Sequence, residues 1–302
     1  MLSFRYRRGQ GMQFNWIFVL IAGIFILSFF AFFSFKYIEL KEHEKNVLSA
    51  YAFSQNMDIL STSSSSFYCV PGKHPDCSFL GDVRLSYFCS EKSASVRVNH
   101  DTSISLGNAL VFMDADLSGK LLGFFVEPLS LPYYVANLIF IVSMDTEYIF
   151  VYDDHSYDRL VSLSLPSDLP FTFVSLSQYV PHSGDVVLYV GESRPGDLFV
   201  LGDMLTFPSG KSYVLFDDIL LVAALVSGDE ETFACVYSRL RLHYEQVTQS
   251  YVAKTRLLQF YHTSCPYVSF KELLQQPLTQ THVQQLLTSH ELLTSEGCTE
   301  VF

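Results

Sequence analysis

Residues 135–142 read VANLIFIV, an almost wholly apolar and β-branched run. A half-exposed strand alternates apolar and polar side chains, whereas a strand covered on both faces is apolar along its length. Comparable runs, each bounded by Gly, Pro, Asp or Ser, lie at 109–113, 148–152, 171–176, 185–190, 197–201 and 212–216. The sequence therefore predicts an α/β head, in which helices cover a mixed sheet.

Helical patterns follow these strands. Ser227 and Glu230 have the spacing of a capping box. The apolar stripe after them consists of Phe233, Val236, Leu240, Tyr244, Val247, Tyr251 and Leu258. This stripe predicts a long helix to about Phe260 that lies across the sheet and opens a helical C-terminal part over 227–302.

Two shorter helices are predicted beyond it. Ser269 with Glu272 predicts a helix that Pro277 ends, and Thr279 predicts an amphipathic helix to about Leu293.

The N-terminal region contains an uncharged apolar run over 13–35. As a helix it is roughly 34 Å long, which suffices to cross a hydrocarbon core of about 30 Å. A cleaved secretory signal has a shorter apolar region and small residues at its cleavage site, whereas 28–34 is mostly Phe. Trp16 and Tyr37 stand where aromatic residues anchor a helix at the two interfaces. The sequence predicts a transmembrane helix over 13–36 with the lipid bilayer as its partner.

Charge divides unevenly along the chain. Residues 1–36 carry four Lys and Arg and no acid, so the remaining 19 − 4 = 15 cations and all 31 acids follow the span. An acidic domain repels phosphate backbones, so no nucleic-acid partner is predicted. The three Arg residues in the short tail over 1–12 favour a cytoplasmic N-terminus. We therefore expect a single-pass protein of the cell membrane with its C-terminal domain outside.

Arg7, Arg8, Gly9 and Gln10 stand directly before the apolar helix. This N-terminus resembles the class III signal peptides of archaeal type IV pilin-like proteins. It is also similar to the N-termini of uncharacterised archaeal single-pass membrane proteins. The resemblance covers about 25 residues and implies processing between Gly9 and Gln10, with the apolar helix retained. Phe14 occupies the fifth position after that bond, where such signals usually carry Glu.

After the span, residues 37–66 predict a stalk helix followed by a joint. Apolar residues recur at loose helical spacing to about Leu60, and the Ser-rich run at 61–66 ends the pattern. The extracytoplasmic domain is then predicted over 67–302.

Six cysteines follow the span: Cys69, Cys77, Cys89, Cys235, Cys265 and Cys298. In an exterior domain an even number predicts up to three disulfides, with fifteen possible pairings. Cys69 with Cys77 could close a local loop, and Cys265 with Cys298 could staple two short helices. Free buried thiols and a zinc site near His74 are the alternatives, although the intervals contain no CxxC.

Asp114 and Asp116 end an apparent strand in ALVFMDADLSGK. The pair resembles the Asp-x-Asp of nucleotide-sugar transferases, which holds a divalent metal and the sugar diphosphate. Those enzymes have a longer nucleotide-binding unit before the pair than this chain provides. The structural alternative is that the two acids cap a turn.

A second polar group follows another predicted strand, with Asp153, Asp154 and His155 in VYDDHSYD. A carboxylate and imidazole group at a strand end can bind metal or move protons. Asp217 and Asp218 are a further pair of acids directly after a predicted strand, the run at 212–216. Asp and Ser also start helices, and no nucleophile motif accompanies these groups, so they are candidate catalytic residues only.

Three functions are consistent with these patterns. The first is a membrane-anchored, extracytoplasmic structural or interaction module that binds an envelope protein or itself, and this is the function that the sequence favours. The second is a pilin-like minor filament subunit. The third is a membrane-tethered, metal-dependent transferase or hydrolase. The sequence favours a protein that is not an enzyme, and it predicts no cofactor and no metal.

Overall fold

The structure is a computed structural model that describes residues 10–62, 67–69, 83–131, 133–163, 165–182, 184–262, 265–276 and 278–302. The predictions for Gly9, His74, Cys77 and the Cys69 side chain lie outside the described residues, as does the Ser run at 63–66.

The N-terminal part of the chain is one helix, α1, over Gln10–Thr62. Met1–Leu48 and Ser49–Phe302 form two compact units. In the first unit the large apolar side chains from Trp16 to Tyr37 are exposed. By length and composition the helix can cross a membrane. The predicted apolar N-terminal helix is confirmed, and it is consistent with a signal-anchor.

The second unit contains strands that form three sheets. In chain order the strands are β1 Phe67–Cys69, β2 Val83–Cys89, β3 Ala94–Val98, β4 Thr102–Gly107, β5 Leu110–Phe112, β6 Asp116–Gly119, β7 Leu122–Ser130, β8 Tyr134–Ser143, β9 Tyr148–Tyr152, β10 Phe171–Ser175, β11 Val186–Val190, β12 Phe199–Leu201, β13 Met204–Thr206 and β14 Ser212–Val214. The helices after α1 are α2 Tyr157–Val161, α3 Ile219–Ser227, α4 Glu230–Tyr261, α5 Tyr267–Leu274 and α6 Gln280–Ser295.

The β8 sheet has the order β1-β7-β8-β5, the β9 sheet β10-β9-β11-β12-β13-β14, and the β2 sheet β4-β3-β2-β6. β5 and β8 are parallel, as are β10, β9, β11 and β12, while the β2 sheet is antiparallel. Mixed sheets with helices packed against them confirm the predicted α/β class.

β8 is the strand that the apolar run at 135–142 predicts. It pairs with β7 on one side and β5 on the other, and its residues from Val135 to Ser143 are all buried. α3 packs against β5, β8 and β11, and all nine of its residues are buried. A helix that is apolar on every side must be enclosed, so α3 lies in the core of the head.

α4 is capped by Asp229, two residues after the predicted cap at Ser227. Ser227 is the last residue of α3, and its hydroxyl donates to the Ala223 carbonyl at 2.7 Å. Gly228 then has φ of 69°, and the Asp229 carboxylate caps α4 by accepting from the Thr232 N–H at 2.8 Å. The prediction of Ser227 as the cap is wrong because an unpredicted helix runs through it.

The last turns of α1 belong to the second unit. Phe53, Met57 and Leu60 are buried, and the Phe53 ring lies 6.3 Å from that of Phe124 on β7. The Asn137 side-chain amide donates to the Ser61 carbonyl at 3.3 Å. This end of α1 is therefore part of the core of the head.

Among the described residues, two disulfides link β2 to α4 and the start of α5 to the end of α6. Cys89 at the end of β2 is joined to Cys235 on α4, and Cys265 is joined to Cys298 across α5 and α6. Disulfides persist in oxidising surroundings, so these pairs favour an extracytoplasmic domain.

The start of α6 matches its prediction, whereas that of α5 does not. The Thr279 hydroxyl caps α6 by accepting from the His282 N–H at 3.1 Å. α5 begins at Tyr267 after Pro266, two residues before the predicted start at Ser269.

The substitution Phe53→Ala tests whether α1 contributes to the core of the head. Loss of a fully buried ring should lower the free energy of unfolding by about 3–5 kcal/mol. Ile59→Ala on the same helix is the matched control, because Ile59 is 54% exposed. Chemical unfolding of the full chain in nanodiscs, followed by near-ultraviolet circular dichroism, measures both variants. Equal unfolding midpoints would contradict the assignment of Phe53 to the core.

Candidate functional site

A cavity of about 390 Å³ lies beside the start of α3. Its acidic lining comes from Glu127 on β7 and from Asp217 and Asp218, which precede the helix. Leu129 and Val283 add apolar wall from β7 and α6. The cavity therefore brings three carboxylates together with the N-terminal end of a buried helix.

The loop before α3 is held by its own side chains. Asp217 Oδ1 accepts from the Ile219 N–H at 2.9 Å. Asp218 Oδ1 lies 2.6 Å from Nε of Arg159, a residue of α2. The same guanidinium donates through Nη1 to the Gly202 carbonyl at 2.5 Å. Arg159 thus ties the start of α3 to the turn after β12.

The environment of Asp217 changes its protonation. Burial raises the pKa of this carboxyl, the Ile219 N–H lowers it by less than burial raises it, and the charges of Asp218 and Glu127 add smaller increases. Asp217 therefore binds a proton more readily than an exposed Asp does, in a cavity that two further acids line.

Asp114 and Asp116 are neighbours in one turn. Asp114 follows β5, and its Oδ1 accepts from the Asp116 N–H at 3.2 Å. A Cβ on Gly228, just before α4, would be 3.3 Å from Asp114 Oδ2. Burial raises the pKa of Asp114, the Asp116 N–H lowers it by less, and the charges of Asp229 and Asp116 add smaller increases. Asp116 lies in β6, and its Oδ1 accepts from Ser86 Oγ at 2.7 Å. The Asp114 carboxylate thus caps the turn, which is the structural alternative for this pair.

Asp153, Asp154 and His155 lie at the carboxyl edge of the parallel strands, directly after β9. β9 stands between β10 and β11, so the chain crosses from one side of it to the other, and ligands of open α/β sheets bind at such points. Asp154 and His155 are exposed. Asp153 Oδ1 is buried and has no hydrogen-bond partner among the described residues. The three side chains are therefore in different environments.

Gly191 packs directly against this turn. A Cβ at Gly191 would lie 2.4 Å from both Asp153 Oδ1 and Ser156 Oγ, and its φ is 94°. Gly191 therefore permits a close approach of the ends of β9 and β11 that no other residue would allow.

The structure places Glu127 and Arg159 at a site where the sequence predicts only Asp217 and Asp218. Glu127 interrupts the apolar run of β7, and an acid within such a run is the signal that could have identified it. Among the described residues no group of three or more His, Cys, Asp or Glu side chains is arranged to hold a metal ion. His243, on α4, instead lies with Nε2 3.0 Å from the Val135 carbonyl oxygen.

No protein-family model, curated protein or solved structure matches this chain.

Asp217→Asn tests the charge of the cavity. The folded protein retains the Asp217 proton to higher pH than the unfolded chain, so ionisation lowers the stability as pH rises above the ordinary value of 3.8. The Asn oxygen can still accept from the Ile219 N–H. The variant should have a higher Tm than the original protein at about pH 7, and the difference should close as the pH approaches the ordinary Asp value.

Thermal unfolding of the full chain in nanodiscs across this pH range provides the measurement. Asp154→Asn, at an exposed position, is the control and should leave the pH profile unchanged. A lower Tm for Asp217→Asn near neutral pH would show that the charged carboxylate is stabilising, which contradicts the expected sign.

Proposed function

We propose that the protein is a membrane-anchored, extracytoplasmic interaction module. α1 holds it in the cell membrane, and the α/β head binds another component of the envelope. The observation that carries the proposal is the division of α1. Its first part exposes large apolar side chains from Trp16 to Tyr37, whereas Phe53, Met57 and Leu60 are buried in the head. One helix thus supplies both the anchor and part of the core.

Two observations support an exterior head. The pairs Cys89–Cys235 and Cys265–Cys298 fit an oxidising compartment. The Arg residues before the span fit a cytoplasmic N-terminus. In this arrangement the acidic remainder of the chain faces the outside and keeps the head soluble there.

The hydrogen bonds of the predicted acids support a structural role for the pair Asp114 and Asp116. The Asp114 carboxylate accepts from the Asp116 N–H, and the Asp116 carboxylate accepts from the Ser86 hydroxyl. The membrane-tethered enzyme therefore remains an alternative proposal. It would be supported by metal-dependent protection of the full chain against unfolding that Asp114→Asn abolishes.

The pilin-like filament subunit is also an alternative proposal. It requires removal of the residues up to Gly9, so that Gln10 becomes the new N-terminus. Mass spectrometry of the protein purified from its own membranes separates the two functions, because an intact Met1 contradicts the filament alternative.

Protease treatment of intact cells tests the proposed topology. We expect the head to be digested without permeabilisation, because it lies outside. In the same preparation, alkylation under denaturing conditions without reductant should leave Cys89, Cys235, Cys265 and Cys298 unmodified, since their sulfurs are already paired. A head that is protected until the membrane is opened, together with alkylation of those four cysteines, would contradict the proposal.

Cross-linking in native membranes tests the interaction itself. An interaction module should be recovered joined to a second envelope protein, with the bond located in the head. Recovery of the chain joined only to copies of itself would favour the filament alternative.

A further inference from the structure

The C-terminal end of α4 carries an exposed apolar group flanked by cations. Leu257, Phe260 and Tyr261 are 63%, 79% and 75% exposed, and the two aromatic rings contact each other with their centroids 5.5 Å apart. Lys254 and Arg256 are also exposed. Lys254 is three residues before Leu257 and Arg256 is four before Phe260, so each cation lies on the same face of the helix as the apolar group. We call these five residues the α4 tip.

The opposite face of the same helix segment is packed. Val252 and Thr255 are buried, and the Tyr251 ring lies 5.3 Å from that of Phe302. Directly after the helix the chain is fixed by the disulfide between Cys265 and Cys298. The α4 tip is therefore held in place before any partner arrives, which lowers the entropic cost of binding.

The charge of the α4 tip differs from that of the rest of the head. From Gln246 to Lys271 the sequence contains no Asp or Glu, although the whole chain has 31 acids against 19 Lys and Arg. Neither Lys254 nor Arg256 forms an ion pair with a carboxylate among the described residues. The α4 tip thus offers unpaired positive charge and aromatic area together, the composition of a binding hot spot for an acidic surface.

The course of α1 along β8 shows where the chain enters the head. Phe53 contacts Phe124, which pairs with Ile141, and Ser61 accepts from Asn137. From Ser49 onward α1 therefore advances from the carboxyl end of β8 towards its amino end.

α4 runs along β8 in the same direction as α1. The Phe233 ring lies 6.2 Å from that of Phe112, which pairs with Phe140, and His243 lies against Val135. From His243 to the last residue of α4 the helix continues for about 27 Å, at about 1.5 Å per residue. The α4 tip therefore lies at the end of the head opposite to the end at which the chain enters.

We propose that the α4 tip is the docking surface of the module and that its partner is another envelope protein with an acidic surface containing apolar residues. This inference rests on the proposed function and specifies its surface. The aromatic pair provides the anchor, and Lys254 and Arg256 attract the acidic groups around it.

Photo-cross-linking of the full chain in the membranes of its own cells tests the proposal. p-Benzoylphenylalanine replaces Tyr261 in one protein and Tyr134, which is 53% exposed, in a second. We expect the probe at 261 to join a protein through a peptide rich in Asp and Glu. The double variant Lys254→Glu/Arg256→Glu should reduce the yield by about tenfold or more. Reversal of the partner's acids to Lys should restore the yield.

Lys92→Glu/Lys120→Glu is the matched control, since both residues are exposed and the change in net charge is the same. It should leave the yield within about twofold, and the unfolding of both double variants should match the original protein. An adduct with lipid, an adduct only with a second copy, or a protein adduct that charge reversal does not weaken would overturn the proposal. A protein adduct at 134 with none at 261 would refute this surface while supporting the interaction function. Adducts at neither position would count against both.

Discussion

The enclosure of α3 is the constraint on which the head depends. All nine residues of this helix are buried, so it has no face to present to water. Its side chains require apolar neighbours on every side. β5, β8, β11 and α4 supply them. Because β8 and β11 belong to different sheets, α3 joins the β8 sheet to the β9 sheet in one core.

The sequence predicts an element well where it has a continuous apolar run or a clear helical period. The apolar runs yield β8 and β9 with bounds accurate to about a residue, and the stripe from Phe233 to Leu258 yields α4. α3 was missed because a helix that is apolar on all sides has no amphipathic period. β7 is not predicted because Glu127 and Pro128 interrupt it. The β2 sheet is not predicted because β2 and β3 alternate apolar and polar residues, whereas the strand prediction rests on runs that are apolar along their length.

The candidate site could be predicted only in part. Spacing along the chain correctly indicates that Asp114 and Asp116 share a turn, since the Asp116 N–H donates to Asp114 Oδ1, but it does not indicate that Asp116 also accepts from Ser86 on β2. Conversely, Glu127, Arg159 and Asp218 come from three separate elements. Packing brings Glu127 and Asp218 to one cavity and places Arg159 against Asp218, and the spacing of these residues along the chain does not predict those contacts.

The charge of the head determines where an acidic partner can bind. A surface on which acids outnumber cations repels such a partner at most orientations, and repulsion from wrong sites is as much a source of specificity as attraction to the right one. The segment from Gln246 to Lys271 removes that repulsion at one end of the head. There Leu257, Phe260 and Tyr261 contribute apolar area that a partner can reach without first displacing a like charge. Under the proposed docking, the acidic majority of the head would confine an acidic partner to the α4 tip without its own side chains taking part in the contact.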